Sequence, residues 1–238
     1  MAEIFIRVEK KYIINKEQYL NLKEILNEKM IEDEHGKSTI CNIYFDTGQF
    51  DLIRNSIEKP YYKDKVRLRS YNIPNLESSV FLEIKKKCGG IVGKRRIQML
   101  LKDYYEYINN HSEINENKQV MGELNYYFQF YHLKPTMFLS YYRRAYYEKD
   151  NRDLRITFDS NIIARDYDLQ LEKGNYGKNI LEQDKYIMEI KTLVAMPMWL
   201  VKKLNELNIR PGSFSKYGKA YEDFIFENRT LLARTLSM

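Results

Sequence analysis

The fold is decided by segments such as Lys65-Val66-Arg67-Leu68-Arg69, in which cationic side chains alternate with apolar ones. The pattern recurs, with a carboxylate among the cations, in Phe81-Leu82-Glu83-Ile84-Lys85-Lys86-Lys87 and in Ile187-Met188-Glu189-Ile190-Lys191. Because alternate residues of a β-strand share a face, each segment predicts a strand with one charged and one apolar face. One such strand is typical of any half-buried sheet, but a whole set predicts a sheet curled around a charged lumen that binds a polyanion.

The composition agrees with an anionic partner. The chain has 238 residues, 44% of them hydrophobic, which is enough for a sizeable core, and its formal net charge is +6. On charge alone, nucleic acid, a membrane surface and small phosphate compounds all stay open. The 21 tyrosines suit amphipathic strands and walls that face a bound ligand. Cys41 and Cys88 lie far apart in the sequence, which argues against a disulfide framework.

The sequence shows no sign of membrane insertion or export. No apolar run approaches the roughly 20 residues that span a bilayer. Residues 1–7 enter a strand pattern directly and lack the layout of a signal peptide. We therefore expect a soluble, cytoplasmic protein with no membrane segment.

Strands are predicted to dominate the chain, with helices at a few places between them. The predicted strands are 3–14, 39–45, 65–72, 79–87, 91–99, 136–147, 153–158, 160–165 and 185–192. The predicted helices are one capped by Asn15 with Gln18 at the capping-box position, a turn at 49–57, two stretches within 101–131, one from Pro197 to Leu207, and one from about Tyr217 to Asn228. This arrangement predicts an α+β fold, an antiparallel β-barrel tunnel with peripheral helices.

Arg67 and Arg69 are the first candidates for binding an anion, because guanidinium groups grip phosphate oxygens with paired hydrogen bonds. Taken alone, the pair would equally suit the solvated face of an edge strand. The strands at 79–87 and 91–99 are joined by Cys88-Gly89-Gly90, a hairpin signal. If that hairpin places its cations on one face, like charges oppose each other, which destabilises a sheet unless an anion bridges them. The hairpin cations on alternate positions are Lys85, Lys87, Lys94 and Arg96.

Carboxylates among these cations have two possible roles. Each is either a salt-bridge partner or, with phosphate oxygens, a ligand for a hard divalent ion such as Mg²⁺ or Mn²⁺. We favour a metal for Glu189, with Glu83 and Asp159 next. The segment Ser213–Lys219 offers hydroxyls, lysines and a helix start that could cradle phosphate, although Gly and Ser also simply begin helices.

In this order the segments resemble the VTC domain, the polyphosphate polymerase module of the triphosphate tunnel metalloenzyme superfamily. The resemblance runs from about Arg7 to Asp223. It is carried by Glu9-Lys10-Lys11-Tyr12, Tyr44-Phe45-Asp46-Thr47, Val66-Arg67-Leu68-Arg69-Ser70-Tyr71, Phe81-Leu82-Glu83-Ile84-Lys85, Lys94-Arg95-Arg96, Tyr141-Tyr142-Arg143-Arg144, Leu154-Arg155-Ile156-Thr157-Phe158-Asp159, Met188-Glu189-Ile190-Lys191 and Phe214-Ser215-Lys216-Tyr217.

The resemblance implies a single tunnel domain over residues 1–228, followed by a tail at 229–238. It also implies transfer of the γ-phosphoryl group of ATP onto inorganic polyphosphate with Mn²⁺ or Mg²⁺, and no nucleic-acid partner. The implied catalytic cations are Lys11, Arg67, Arg69, Lys85, Arg143, Arg155 and Lys216. The implied substrate-binding residues are Lys94, Tyr141 and Ser215, to which strand phase adds Lys87, Arg96 and Lys191, and Glu189 is the implied metal ligand.

Two other functions stay open at this point. One is hydrolysis of inorganic or nucleoside triphosphate in the same tunnel, and the other is polyanion binding without catalysis. Hydrolytic tunnel enzymes open with Glu-x-Glu-x-Lys, whereas this chain has Arg7-Val8-Glu9-Lys10-Lys11. Replacing the first carboxylate by arginine weakens a metal site there, which favours the polymerase.

Overall fold

The computed structural model describes most of the chain. The described residues are 8–58, 60–89, 91–110, 114, 116–149, 153–193 and 195–226. Three predicted segments therefore lie outside the described residues: the start of the first strand at 3–7, the end of the last helix at 227–228, and the tail at 229–238.

Nine strands and six α-helices form within the described residues, and the pairs β1–β9, β2–β3, β3–β4, β4–β5, β7–β8 and β7–β9 are antiparallel. The strands are β1 Val8–Asn15, β2 Met30–Asp46, β3 Tyr62–Tyr71, β4 Ser79–Cys88, β5 Ile91–Leu100, β6 Lys134–Glu148, β7 Arg155–Arg165, β8 Lys178–Asn179 and β9 Lys185–Thr192. The helices are α1 Lys16–Lys29, α2 Asp51–Ile57, α3 Leu101–Asn110, α4 Lys118–Phe130, α5 Met198–Glu206 and α6 Lys216–Tyr221. The predicted α+β class with antiparallel strands and peripheral helices is confirmed, but within the described residues no strand pair closes the sheet into the predicted barrel.

The chain divides into two compact units. The first comprises residues 1–39, 141–162 and 181–215, and the second comprises 40–140, 163–180 and 216–238. The strand order is β1-β9-β7-β6 in the first unit and β6-β2-β3-β4-β5 in the second, where β8 pairs with the end of β7. Strands β2, β6 and β7 thus contribute residues to both units.

The core of the first unit lies between its strands and the helices α1 and α5. Tyr12, Phe158 and Met188 are buried on one face of the strands and pack with Leu22 of α1 and Leu200 of α5. Helix α1 begins where the sequence predicts, because the Asn15 side chain accepts the backbone N–H of Gln18 and the Gln18 side chain accepts that of Asn15. With the apolar face buried, the charged residues between these positions lie on the opposite face.

The second unit follows the same plan. Val66 and Leu68 of β3 and Leu82 of β4 are buried against Leu124 and Tyr127 of α4. Successive side chains of a strand point to opposite faces, so the basic residues that alternate with these positions are on the face turned away from the helix. The alternation seen in the sequence is therefore a true two-faced strand pattern in both units.

Two strands differ from the predictions by more than a few residues at a boundary or in number. Strand β2 begins at Met30 rather than 39, because pairing with β6 stabilises a polar stretch whose own residues favour no strand. Gly36 shows how close this pairing is, since an added Cβ would lie 2.8 Å from the Ala145 carbonyl oxygen. The strands predicted at 153–158 and 160–165 are one strand, β7, in which Asn161 takes a positive φ of 48°. That local kink explains the interrupted pattern.

Candidate functional site

The first unit presents what we call the first charged face, formed by alternate residues of four strands. The register pairs Lys11 with Glu189, Glu9 with Lys191, and both Thr157 and Arg155 of β7 with β9. Directly paired residues of an antiparallel ladder lie on the same side, so the face is continuous across β1, β9 and β7, and the ion pair of Arg143 with Asp159 joins β6 to it. Its members are Glu9, Lys11, Tyr141, Arg143, Arg155, Thr157, Asp159, Glu189 and Lys191.

Glu189 is the centre of this face. Its carboxylate lies 2.7 Å from the Lys191 Nζ and 3.7 Å from the Lys11 Nζ, and Glu9 lies 3.6 Å from the same Lys11 Nζ. Burial raises the pKa of Glu189, but Lys191, Lys11 and Arg143 outweigh burial and hold the pKa well below its ordinary value. The group is therefore a carboxylate at neutral pH.

Two arginines of the first charged face are held by acids. The Arg143 guanidinium donates two hydrogen bonds to Asp159, at 2.6 and 2.8 Å, and lies over the Tyr141 ring at 5.1 Å. Asp159 is only 1% exposed, so this pair is fixed. Arg155 pairs with Asp33 at 2.9 Å, and its side chain is 51% exposed. Arg155 is thus the more easily redirected of the two.

Thr157 adds a polar group without a partner. Its side chain is buried, and within the described residues its hydroxyl has no hydrogen-bond partner. Thr157 is paired in register with Glu189, so the two side chains lie on the same face of neighbouring strands. A buried hydroxyl left unpaired costs free energy, which an incoming ligand could recover.

The second unit presents the second charged face, on β2 to β5. Arg67 is paired with Tyr44 and with Glu83, which in turn is paired with Arg96. Lys85 is paired with Lys65 on one side and with Lys94 on the other. Of the four hairpin cations, Lys85 and Lys94 therefore oppose each other as the pattern predicts, whereas Lys87 is paired with Val92 and Arg96 with Glu83. The members of this face are Asn42, Tyr44, Lys65, Arg67, Arg69, Glu83, Lys85, Lys87, Lys94 and Arg96.

Glu83 holds the cations of the second charged face together. Its carboxylate is 2.7 Å from Arg67 Nη2, 2.6 Å from Lys94 Nζ and 4.0 Å from Arg69 Nη1, and the residue is 1% exposed. Burial alone would raise the pKa of Glu83, but Arg67, Arg69 and Lys94 lower it to about 2. The Glu83 carboxylate therefore offsets part of the predicted repulsion between these cations even when no ligand is bound.

Tyr44 and Tyr217 are site residues that the sequence did not single out. The Arg67 Nη1 donates to the Tyr44 hydroxyl at 3.2 Å, and the Tyr44 ring stacks on Tyr217 with centroids 4.4 Å apart. Burial raises the pKa of Tyr44, but Arg67, Lys65 and Arg69 outweigh it and lower the pKa to about 8. Tyr44 belongs to the site because it is paired across the strands with Arg67. That pairing depends on the strand register, which the sequence alone does not give.

Tyr217 joins α6 to the second charged face. Its hydroxyl donates to Asp46 Oδ2 at 3.0 Å, and the Asp46 carboxylate also accepts the backbone N–H groups of Leu52 and Ile53. Because Lys216 precedes Tyr217, this network fixes the start of α6 beside Tyr44. Helix α6 has six residues, so the contribution predicted from a helix N-terminus is small and the role predicted for Lys216 rests on its side-chain charge.

The predicted site residues divide between the two units. The first unit contains Lys11, Tyr141, Arg143, Arg155, Glu189, Lys191 and Ser215, and the second contains Arg67, Arg69, Lys85, Lys87, Lys94, Arg96 and Lys216. Those on strands lie on the charged faces, as strand phase predicts. Lys87 is exposed near the hairpin, and the Arg96 guanidinium lies 4.7 Å from the centroid of the Phe81 ring. Ser215 is exposed, three residues after Gly212, which bridges to Lys11.

The model of the VTC domain family matches residues 6–225 of the chain. The chain belongs to the VTC domain family. The match includes residues of both units, from β1 to the segment that follows α6. No curated protein matches this VTC domain in sequence.

Solved structures share the fold at low sequence identity. A candidate adenylate cyclase from Bacillus halodurans has a TM-score of 0.56 and 15% identity, covering 92% of this chain and 97% of that one. A candidate adenylate cyclase from Vibrio parahaemolyticus has a TM-score of 0.49 and 12% identity, covering 90% and 96%. A protein from Pyrococcus horikoshii has a TM-score of 0.46 and 19% identity, covering 91% and 99%. The first of these supports the predicted triphosphate tunnel fold.

Family membership, fold and the two charged faces together support an enzyme that binds triphosphate. The structure also bears on the membrane prediction, since no described helix is long and apolar enough to cross a bilayer.

Proposed function

We propose that this VTC domain is a polyphosphate polymerase that transfers the γ-phosphoryl group of ATP onto a growing inorganic polyphosphate chain. The observation that carries the proposal is the direct cross-strand pairing of like charges on the second charged face, Lys65 with Lys85 and Lys85 with Lys94. Like charges placed opposite each other destabilise a sheet. An anion with several phosphates in a row is the ligand that relieves the repulsion along a ladder of this kind.

Phosphoryl transfer depends more on how the reacting groups are positioned than on reactive side chains of the protein. Phosphoryl transfer is accelerated by holding attacking and leaving oxygens in line and by neutralising charge on the transferred group. A terminal phosphate of polyphosphate is already ionised, so no proton has to be removed from the acceptor. Arg67 and Arg69 offer paired donors to phosphate oxygens, and Lys85 and Lys94 offer compact charges beside them.

Without a ligand, the cations of the two charged faces form ion pairs with acids of the protein itself. Arg67 and Lys94 are bonded to Glu83, while Arg143 is bonded to Asp159. Each cation keeps donors beyond those that its acid occupies, because a guanidinium carries five N–H groups and an ammonium three. We infer that the acids orient the cations and that phosphate oxygens take the remaining donors.

The donor set on the first charged face fits Mn²⁺ or Mg²⁺. Glu189 would hold the ion, with the unpartnered Thr157 hydroxyl and Glu9 on the neighbouring strands. Within the described residues there is no group of three or more His, Cys, Asp or Glu that could bind a metal, so phosphate oxygens would complete the coordination. When bound, the ion would neutralise charge on the phosphates, and Lys191, now 2.7 Å from Glu189, would turn to the substrate.

The test is product analysis with ATP labelled at the γ-phosphate and Mn²⁺. We expect long labelled chains on a sizing gel, lost in Arg67→Ala. The matched control is Arg95→Ala, because Arg95 lies on the same sheet but on the opposite face, where it pairs with Glu123 at 2.9 Å. Free labelled phosphate without chains would instead identify a triphosphatase, and no turnover with retained tripolyphosphate binding would identify a binding module.

A further inference from the structure

The first unit contains a cavity on the side of its strands opposite the first charged face. The cavity has a volume of about 300 Å³ and lies between α1 and the strands β6, β7 and β9. Tyr142 and Arg144 line it, whereas their chain neighbours Tyr141 and Arg143 belong to the charged face. Because alternate strand residues point to opposite sides, the cavity is separate from the proposed catalytic site.

One wall of the cavity is aromatic. Tyr19 of α1 stacks on Tyr186 of β9 with ring centroids 4.4 Å apart and planes 12° apart. Phe158 meets the Tyr19 ring edge-on at 5.0 Å. Tyr142 of β6 lines the cavity as well and is only half-buried. Flat apolar surface of this kind suits stacking against a planar ring.

The polar part of the wall is cationic. Lys23 of α1 and Arg144 of β6 both line the cavity, and the residues that line it include no carboxylate. The Arg144 Nη1 lies 3.4 Å from the Tyr19 hydroxyl and its Nε lies 3.9 Å from Glu32 Oε1, and the guanidinium also hydrogen-bonds with Tyr142 and Tyr146. Ser160 adds a hydroxyl. Two cations beside hydroxyls, with no acid in the lining, favour an anionic group.

We propose that this cavity binds a nucleoside monophosphate, with the base against the tyrosine rings and the phosphate between Lys23 and Arg144. The volume is at the lower end of the range for small-molecule sites, which suits one nucleotide rather than a polymer. The site takes a planar ring and one phosphate together, whereas the charged faces offer cations in rows. The two kinds of site therefore select different ligands on one protein.

Calorimetric titration of the full chain with AMP, adenosine and orthophosphate, without divalent metal, tests the proposal. We expect AMP to bind at least tenfold more tightly than either of its parts. Lys23→Ala and Arg144→Gln should each weaken AMP binding at least tenfold. Lys16→Ala, on the same helix but outside the cavity lining, should leave AMP binding unchanged, and so should Lys11→Ala on the first charged face.

Titration of the same variants with tripolyphosphate distinguishes this site from the proposed catalytic site. Tripolyphosphate binding should weaken in Lys11→Ala and stay unchanged in Lys23→Ala. Thermal melts check that each variant is folded, and Lys23→Ala decides the matter if Arg144→Gln proves unstable. AMP binding that is unaffected by Lys23→Ala, or orthophosphate binding as tight as that of AMP, would overturn the proposal.

Discussion

At the scale of single residues, Glu83 and Glu189 do the same thing on the two charged faces. Each is a carboxylate that forms ion pairs with several cations, Glu83 fully buried and Glu189 partly buried, and the cations hold the pKa of each below its ordinary value. Such an acid makes the folded state of a cationic face possible without ligand, and it also orients the donors that remain. Removing it should therefore affect stability in a way that depends on pH.

Glu83→Gln should lower the free energy of unfolding at pH 7 by roughly 3 kcal/mol, since the pKa of Glu83 falls from an ordinary value of 4.5 to about 2. A depressed carboxyl pKa stabilises the fold above about pH 4.5, and that contribution is lost as the pH falls toward 2. Urea unfolding of both proteins at pH 7 and at pH 3 measures it. A stability difference that does not shrink on acidification would contradict this account of Glu83.

Tyr44 should titrate near pH 8, whereas burial raises the pKa of Tyr107 and of Tyr146 to about 12. Ultraviolet difference absorbance should show an early tyrosinate step of one residue that is missing in Tyr44→Phe. Tripolyphosphate should move the step to higher pH, because phosphates neutralise Arg67, the strongest of the charges that lower it. If the step persists in Tyr44→Phe, it belongs to another tyrosine.

Glu189→Gln should keep triphosphate affinity while removing metal-dependent turnover. The amide keeps the shape but not the charge that a divalent ion requires, and the Lys11 and Lys191 ammonium groups lose a competing acid. Mn²⁺ titration of activity, with tripolyphosphate binding measured in parallel, checks both parts. An unchanged metal requirement would move the metal site to Asp159 or Glu83.

At the scale of elements, the sequence predicts what local pattern determines and misses what pairing determines. The two-faced strands and the Asn15 cap of α1 follow from alternation and from one capping box. Residues 30–38 of β2 carry no strand pattern and become extended through their partner strand. The Tyr44–Tyr217 stack and the Asp46 network join residues far apart in the chain, which no local signal reports.

The loop after β7 depends on Arg165 in the same non-local way. This arginine is fully buried, lies 3.6 Å from the centroid of the Phe138 ring, and donates to the carbonyl oxygens of Asp168, Gln170, Gly174 and Tyr176. It replaces backbone hydrogen bonds that the irregular loop cannot make for itself. One side chain thus joins four carbonyl groups of the loop.

Arg165→Met should lower the free energy of unfolding by roughly 2–4 kcal/mol, because several loop carbonyls lose their donor. Arg165→Lys should restore little, since an ammonium cannot span those carbonyls as a planar guanidinium does. Chemical unfolding of the three proteins measures the effect. A lysine variant as stable as the wild type would show that charge alone, rather than the guanidinium fork, holds the loop.

At the scale of the whole molecule, the distribution of the net charge of +6 restricts which anions can bind. Much of it lies on strand faces where it alternates with the core, and several of its members are shielded from solvent; the Arg69 side chain is 8% exposed. A ligand has to be small enough to reach such groups and long enough to contact several of them. That requirement separates short polyphosphates from single phosphates and from duplex DNA.

Tripolyphosphate should therefore raise the melting temperature far more than orthophosphate at equal ionic strength. A ligand at several hundred times its Kd adds roughly 3–4 kcal/mol to the stability of the folded state, enough for a shift of several degrees. Orthophosphate reaches fewer cations at once, and the phosphates of duplex DNA lie on a broad rod that cannot enter between half-buried side chains. A melting series with the three ligands, repeated on Arg67→Ala and on the Arg95→Ala control, makes the comparison. If duplex DNA stabilises the protein as much as tripolyphosphate does, the cations serve an exposed nucleic-acid surface and the polymerase proposal fails.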